Sequence, residues 1–446
     1  MKVTGYIPII IILCFSSCVL NGHDDSHDEP VVFSFSPTNN EIAKKSEAII
    51  TDDWIDVYIE TGTDMHNLVA DFNFTGYPTV SVDGAAQETG ITANDFSNPV
   101  TYKLESGTGE EKELIITVKP SDSLELDAKI VSLMKTHHAP SFSLAIVRNE
   151  KLVFVKSYGV ANVDTNDRVT NESLYRVASV SKAITALAIL KLLEEDKLEY
   201  SDTVFGQNGV LGFEYGTPPY DENIEKITIG HLLDHYSGWT SDQLYISSYK
   251  EPIDDLIDHQ ALTYEPGTFE YYLNLNYCIL GRVIEKLSGE SYKDFVKTNI
   301  LIPCGITDMD IGINPSIGIL PNEVRYFDQD NTNPHPNNWD MTFNDSFSGW
   351  VATPSDLMKI MVRIDRMEEK ADIFESSALD KMMFGNYSWY YSGEISGTAC
   401  YIKKINPTVQ YFIVTNTRTK TLVYDMSIVM ESYIKNRQTW PEDDLF

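Results

Sequence analysis

A serine hydroxyl is a poor nucleophile until a base takes its proton, and a desolvated lysine can be that base. Ser179 and Lys182 offer such a pair within Tyr175-Arg176-Val177-Ala178-Ser179-Val180-Ser181-Lys182. At i, i+3 spacing the two side chains share one helix face. A first helical turn also leaves backbone N–H groups free to meet developing negative charge. The spacing alone is common: Ser132/Lys135, Ser247/Lys250 and Ser432/Lys435 repeat it, and a solvated helix face accounts for each. Ser179 is set apart by its surroundings. Residues 183–193 are apolar nearly all round, which predicts a helix buried in the interior.

A second group lies downstream. Tyr272-Leu273-Asn274 is the one Tyr-x-Asn triplet of the chain, placed between the turn at Pro266-Gly267 and an apolar helical pattern over 278–287. A phenol held near an ammonium can relay protons. An amide one residue on can hold a substrate carbonyl. Upstream, 227–239 reads as a helix ended by Gly238, with His231 and His235 four apart and Asp234 between them. That spacing suits a metal, but no third ligand stands nearby, and helix packing is the simpler reading. The segment from Phe347-Ser348-Gly349-Trp350 to Thr353-Pro354 reads as a loop followed by a capped helix.

The elements that must position these groups follow from pattern. A helix over 124–135 leads to strands 143–148 and 152–159, joined by a turn at Asn149-Glu150. Strands near 398–403 and 410–415 and a helix over 422–435 close the chain. Strands at both ends around a helical middle imply one sheet built from both ends, with an all-helical insert facing it, an α+β class. Residues 31–119 differ in character. Apolar alternation at Ile55/Val57/Ile59, Val80/Val82, Tyr102/Leu104 and Leu114/Ile116/Val118, with Gly-rich turns between, predicts a small antiparallel all-β sandwich. Lys119 to Ser123 reads as the linker between the two domains.

Composition bounds the partners. The 446 residues are enough for one large and one small domain. A formal charge of −32 argues against nucleic acid and against attraction to anionic surfaces. The five cysteines fit no zinc pattern, Cys278 sits in a core pattern, and nothing in the sequence pairs Cys304 with Cys400. Residues 1–17 carry Lys2 and an apolar stretch from Ile7 to Phe15, as a secretory signal does. Ser16-Ser17-Cys18 resembles a bacterial lipoprotein cleavage site, which implies a lipid on Cys18 and a membrane anchor. The acidic stretch from His23 to Pro30 would serve as a tether.

Taken together, the segments over 124–437 resemble the serine β-lactamase and penicillin-binding-protein superfamily, in its class C β-lactamase-like branch. The resemblance rests on the early strand pair, Ser179-Val180-Ser181-Lys182, Thr228 to Gly238, Pro266-Gly267 through Tyr272-Leu273-Asn274 and Tyr277, and Gly349 to Leu357. It implies the β-lactamase/transpeptidase-like fold, an antiparallel sheet flanked by helices plus an all-α subdomain. It also implies acyl transfer on a small-molecule, peptide or ester substrate, without metal or cofactor. Ser179 would attack a carbonyl, Lys182 would accept or perturb its proton, Tyr272 would be the partner acid/base, and Asn274 would hold the acyl amide. The oxyanion would meet the Ser179 N–H and one from a late edge strand.

On that strand the family usually carries Lys-Thr-Gly or His-x-Gly, where this chain reads Tyr391-Ser392-Gly393-Glu394. Tyr391 supplies a phenol and no cation, which shifts the expectation toward an ester or an uncharged amide. Glu394 would donate its N–H if Gly393 is the motif glycine; Ile395-Ser396-Gly397 offers a second glycine. Residues 31–119 resemble the immunoglobulin-like spacer domains of Bacteroidetes surface lipoproteins, which implies a stalk.

Overall fold

The computed structural model describes residues 31–241, 250–313, 318–329 and 340–446. The signal segment, Cys18 and the acidic tether lie outside the described residues. Backbone contacts divide the chain into Met1–His138 and Ala139–Phe446.

The first unit is the expected small β-sandwich. One sheet holds Glu47–Ile50, Trp54–Glu60, Glu111–Ser121, Val100–Glu105, Thr79–Val82 and Ala85–Ala86, in that order; the other holds Val32–Phe35, Leu68–Asn73 and Ala93–Asn94. The alternating residues point inward as a period of two requires: Tyr102, Leu104, Leu114 and Ile116 are all buried. Aromatic rings fill the space between the sheets, with Phe35 and Phe96 edge to face at 5.1 Å.

Two features differ from expectation. Trp54–Glu60 pairs with Glu111–Ser121 in parallel, so the sandwich is not purely antiparallel. The two strands lie far apart in sequence, and the intervening chain is long enough for the crossover that parallel pairing needs. Helix Leu124–Thr136, expected to open the large domain, packs on strands Glu47–Ile50 and Trp54–Glu60. It buries Leu126, Ile130, Val131 and Met134. The division of contacts therefore falls after this helix, not at the linker over 119–123.

The second unit is built on a six-stranded antiparallel sheet. Its order is Asp167–Arg168, Lys151–Asn162, Ser141–Arg148, Val409–Thr415, Thr398–Asn406 and Trp389–Ile395. An early and a late strand of the unit meet in its centre, where Ala145 pairs with Phe412. The hairpin at Asn149-Glu150 has both residues at positive φ, 49° and 58°, as a two-residue turn matched to strand twist needs. Glutamate is an unusual occupant there; its carboxylate accepts the N–H groups of Glu369 and Lys370.

Alternation sends Cys400 and Ile402 into the main core, while Lys403 meets Glu431 of helix Leu422–Asn436 on the opposite face. Helix Pro354–Met361 packs on the central strands. Its Thr353 cap is the predicted one: Thr353 Oγ1 accepts the Asp356 N–H, and the Asp356 carboxylate accepts the Thr353 N–H. Helix Ser181–Glu194 is buried at nearly every position, as its apolar run requires. Cys278, Cys304 and Cys400 are buried and form no disulfide, so Cys304 and Cys400 are not joined. Among the described residues no helix is long and apolar enough to cross a membrane.

Candidate active site

Ser179 sits in a single tight turn, Ala178–Val180, immediately before the buried helix. Ala178 has φ +44°, a left-handed conformation costing a residue with a Cβ about 1–2 kcal/mol. Neighbours hold the turn in place. The Val177 N–H donates to the Trp350 carbonyl at 3.0 Å, and the Trp350 N–H donates to Ser181 Oγ at 3.2 Å. Arg176 is buried beneath it, with its guanidinium 4.2 Å from the Tyr326 ring centroid and Nε 3.8 Å from Glu323 Oε1.

One helical step on, Lys182 is fully buried. Its ammonium has three donors, and three acceptors meet them: Ser179 Oγ at 3.3 Å, Asn274 Oδ1 at 2.7 Å and the Phe347 carbonyl at 2.9 Å. The Tyr272 ring lies under it at 4.8 Å. Tyr272 Oη donates to Ser179 Oγ at 2.7 Å. Asn274 opens helix Asn274–Ser288, so its amide and the phenol two residues earlier reach the same lysine region from a helix entrance.

The third side of the site is the edge strand Trp389–Ile395. A Cβ on Gly393 would lie 2.4 Å from the Val177 carbonyl, 2.7 Å from Cys400 Sγ and 3.1 Å from the Ser179 nitrogen. Only glycine lets the strand come this close to the Ser179 turn. Gly397 lies in the turn after the strand, at φ +80°. Gly393 is therefore the glycine beside Ser179. Tyr391, two residues back on the same strand face, is hydrogen-bonded to Tyr272; burial first, then the neighbouring phenols Tyr277 and Tyr272, push its pKa well up, so it stays a neutral phenol. The Glu394 carboxylate alternates away and meets Arg418 Nε at 3.3 Å, so only its backbone faces the serine side.

The structure thus gathers Ser179, Lys182, Tyr272, Asn274, Tyr391 and Gly393, and turns the Glu394 side chain outward. His231 and His235 hold no shared ligand. His231 closes a capping box with Thr228, and helix Ile229–Leu233 stops well before Gly238. The His235 ring lies 4.6 Å from the Tyr272 ring, tilted against it by 37°. Burial, then the charge on Lys182, lower its pKa to about 4. Sequence reasoning treated it as helix packing; its place directly before Tyr236-Ser237-Gly238 gave no sign that it borders the phenol. Among the described residues no group of three or more His, Cys, Asp or Glu side chains is arranged to hold a metal ion.

Comparison with known proteins agrees with this frame. The sequence model of the Beta-lactamase family, described as "Beta-lactamase", matches residues 126–399. A second model, "SGBP, N-terminal", matches residues 33–118. Protein flp of Staphylococcus aureus (strain NCTC 8325 / PS 47) is 28% identical over 314 residues, which cover 65% of this chain and 62% of flp. The chain therefore spans under two thirds of that relative. Among solved structures, the octameric penicillin-binding protein homologue from Pyrococcus abyssi superimposes with a TM-score of 0.57 at 23% identity, covering 70% of this chain and 78% of its own. The D-amino acid amidase from Ochrobactrum anthropi SV3, complexed with L-phenylalanine amide, does so with a TM-score of 0.55 at 18% identity, covering 71% of this chain and all of its own (100%). These two likenesses are of fold. With the family model spanning more than half of the sequence, from the last helix of the first unit to the strand behind Gly393, the chain belongs to the beta-lactamase family.

Proposed function

We propose that this protein is an exported serine hydrolase that cleaves an ester or an uncharged amide through an acyl-enzyme on Ser179. The observation that carries the reading is Tyr272 Oη at 2.7 Å from Ser179 Oγ, with the buried Lys182 ammonium donating to the same oxygen. Lys182 is saturated by three acceptors, so its part is to supply positive charge, and Tyr272 is placed to move the proton.

In the forward step Tyr272 acts as a phenolate beside the Lys182 ammonium, its own proton having been given up: Ser179 Oγ bonds to the substrate carbonyl carbon, and the serine proton passes to the Tyr272 phenolate oxygen. The carbonyl oxygen gains charge and meets the Ser179 N–H and the N–H that follows Gly393, that of Glu394. Collapse breaks the bond to the leaving group, which takes the proton from Tyr272. Asn274, held by Lys182, is placed to hold the acyl side. Water then repeats the sequence and frees Ser179.

Substrate choice follows from the third side. Tyr391 offers a neutral hydroxyl where a cation would hold a carboxylate. The D-amino acid amidase among the fold relatives acts, by its name, on amides, which supports an uncharged leaving end. The first unit would serve as a spacer, and the apolar stretch within residues 1–17, together with Ser16-Ser17-Cys18, supports export with a lipid on Cys18 that would anchor the enzyme to a membrane.

Intact-mass spectrometry of the mature chain tests this. A p-nitrophenyl ester and a fluorophosphonate should each add mass to wild type and none to Ser179→Ala, while a penicillin adds none. A penicillin adduct would return the substrate class to β-lactams and cell-wall peptides. A folded protein that takes up no probe would refute the hydrolase and leave a binding protein on the same fold.

A further inference from the structure

Helix Ile229–Leu233 ends in a Schellman pattern. The Tyr236 N–H bonds back to the His231 carbonyl at 2.7 Å, and the His235 N–H to the Leu232 carbonyl at 3.4 Å. Glycine is the usual occupant of the left-handed position in that pattern, because it has no Cβ to clash. Here the occupant is His235, at φ +63°. A side chain kept there against its backbone preference points to a use for what it touches.

His235 touches the Tyr272 loop on both sides of the phenol-bearing residue. Its carbonyl accepts the Tyr271 N–H at 2.8 Å. Its Nδ1 accepts the Leu273 N–H at 3.2 Å, with Asn276 Nδ2 also 3.3 Å away. The imidazole lies against the Tyr272 ring at 4.6 Å and the Tyr277 ring at 5.2 Å. Tyr272 is itself 47% exposed, so burial does little to fix it.

With Nδ1 accepting, the proton of a neutral ring sits on Nε2. That nitrogen is buried and finds no hydrogen-bond partner among the described residues. Lys182, Tyr272 and Tyr277 are the titratable side chains that face the ring, and the Lys182 charge favours its neutral form. An imidazolium would carry a proton on Nδ1 and lose the Leu273 bond.

We propose that His235 is the positioning residue for Tyr272: its left-handed backbone and unprotonated Nδ1 pin the peptide groups on either side and so hold the phenol against Ser179 Oγ. The kinetic part of the test rests on the hydrolase reading above; the spectroscopic part does not.

His235→Gly and His235→Asn both tolerate the left-handed backbone, so the helix end survives in each. Asparagine brings an amide oxygen close to the place of Nδ1. Fluorophosphonate labelling of His235→Asn should stay within about 10-fold of wild type, while His235→Gly should label on the order of 100-fold more slowly. With a p-nitrophenyl ester, the loss in His235→Gly should fall on kcat with KM little changed. Wild-type rates in His235→Gly would overturn the proposal, as would equal losses in the two variants.

A second measurement asks nothing of activity. Nitrogen-15 NMR of the histidine-labelled full chain, with His235 assigned by its absence from either variant, should show an unprotonated Nδ1 and a protonated Nε2. A protonated Nδ1 would overturn the proposal. If wild type takes no probe at all, the hydrolase reading fails and the tautomer still decides the role of His235.

Discussion

Tyr391 and Tyr272 are joined phenol to phenol, and Tyr272 in turn donates to Ser179 at 2.7 Å. A neutral hydroxyl thus stands second in line from Ser179. Tyr391→Phe removes that hydroxyl with little change of shape. Ester turnover should fall by about 10-fold, while thermal stability stays close to wild type. Tyr391→Lys should raise turnover of a carboxylate-bearing amide relative to a neutral ester. Comparing kcat/KM for the two substrates across the three proteins checks both points; an unchanged ratio in Tyr391→Lys would contradict the assignment.

Lys182 has the most to lose by substitution. Lys182→Met keeps an unbranched chain of nearly the same length and removes the charge. Fluorophosphonate labelling should drop by about 10³-fold or more. The Asn274 and Phe347 oxygens would each lose a donor, at about 1–3 kcal/mol apiece where they remain buried. A labelling time course with a thermal melt separates the two effects. Lys182→Arg should not rescue activity, because a planar guanidinium cannot replace a compact ammonium in a fully buried slot.

Gly393 sets how close the edge strand comes. In Gly393→Ala the new Cβ meets the Val177 carbonyl at 2.4 Å and Cys400 Sγ at 2.7 Å. The strand must back away, at about 1–3 kcal/mol, and the oxyanion donors separate. Labelling should fall by about 100-fold. Gly397→Ala strains only a turn at φ +80° and should lower the melting temperature while leaving labelling near wild type. Similar labelling losses in both would argue against Gly393 as the motif glycine.

Asp365 gives a pH dependence away from the site. It is buried, with Oδ2 accepting from Gln410 and Oδ1 from the Met367 N–H. Burial is the main cause that lifts its pKa to about 7, with Glu150 and Asp372 adding repulsion. A carboxyl with a raised folded pKa contributes stability that is full below its unfolded value, near 3.8, and lost as pH rises through the folded one. Between pH 4 and 7 this group should therefore make the protein progressively less stable. Asp365→Asn should melt several degrees above wild type at pH 8, with the gap narrowing toward pH 4. A gap that stays constant with pH would show that Asp365 is ionised throughout.

Chemistry carried by near neighbours in the chain was legible without coordinates. Ser179 and Lys182 are one helical turn apart, and an apolar run announces the buried helix behind them. Tyr272 and Asn274 flank a single residue before a helix, so their joint approach is local as well. The sheet built from both chain ends was also readable, since alternation and turn residues mark strands wherever they pair.

Tertiary structure decided what depends on register and on contacts between distant segments. Two glycines, Gly393 and Gly397, suit the third motif equally in sequence; strand pairing puts one against Ser179 and the other in a turn. The parallel pairing of Trp54–Glu60 with Glu111–Ser121, and the docking of Leu124–Thr136 on the first unit, depend on packing between surfaces that no local pattern specifies. His235 is the sharpest case. Its spacing from His231 suggested a metal pair or, more simply, a helix face, yet a left-handed backbone at the helix end turns its carbonyl and its ring toward Tyr271 and Leu273, more than thirty residues away in the chain. Residue type and spacing define which groups are able to react, because those preferences are local; the distances that make them react come from long-range packing, which only the folded chain contains.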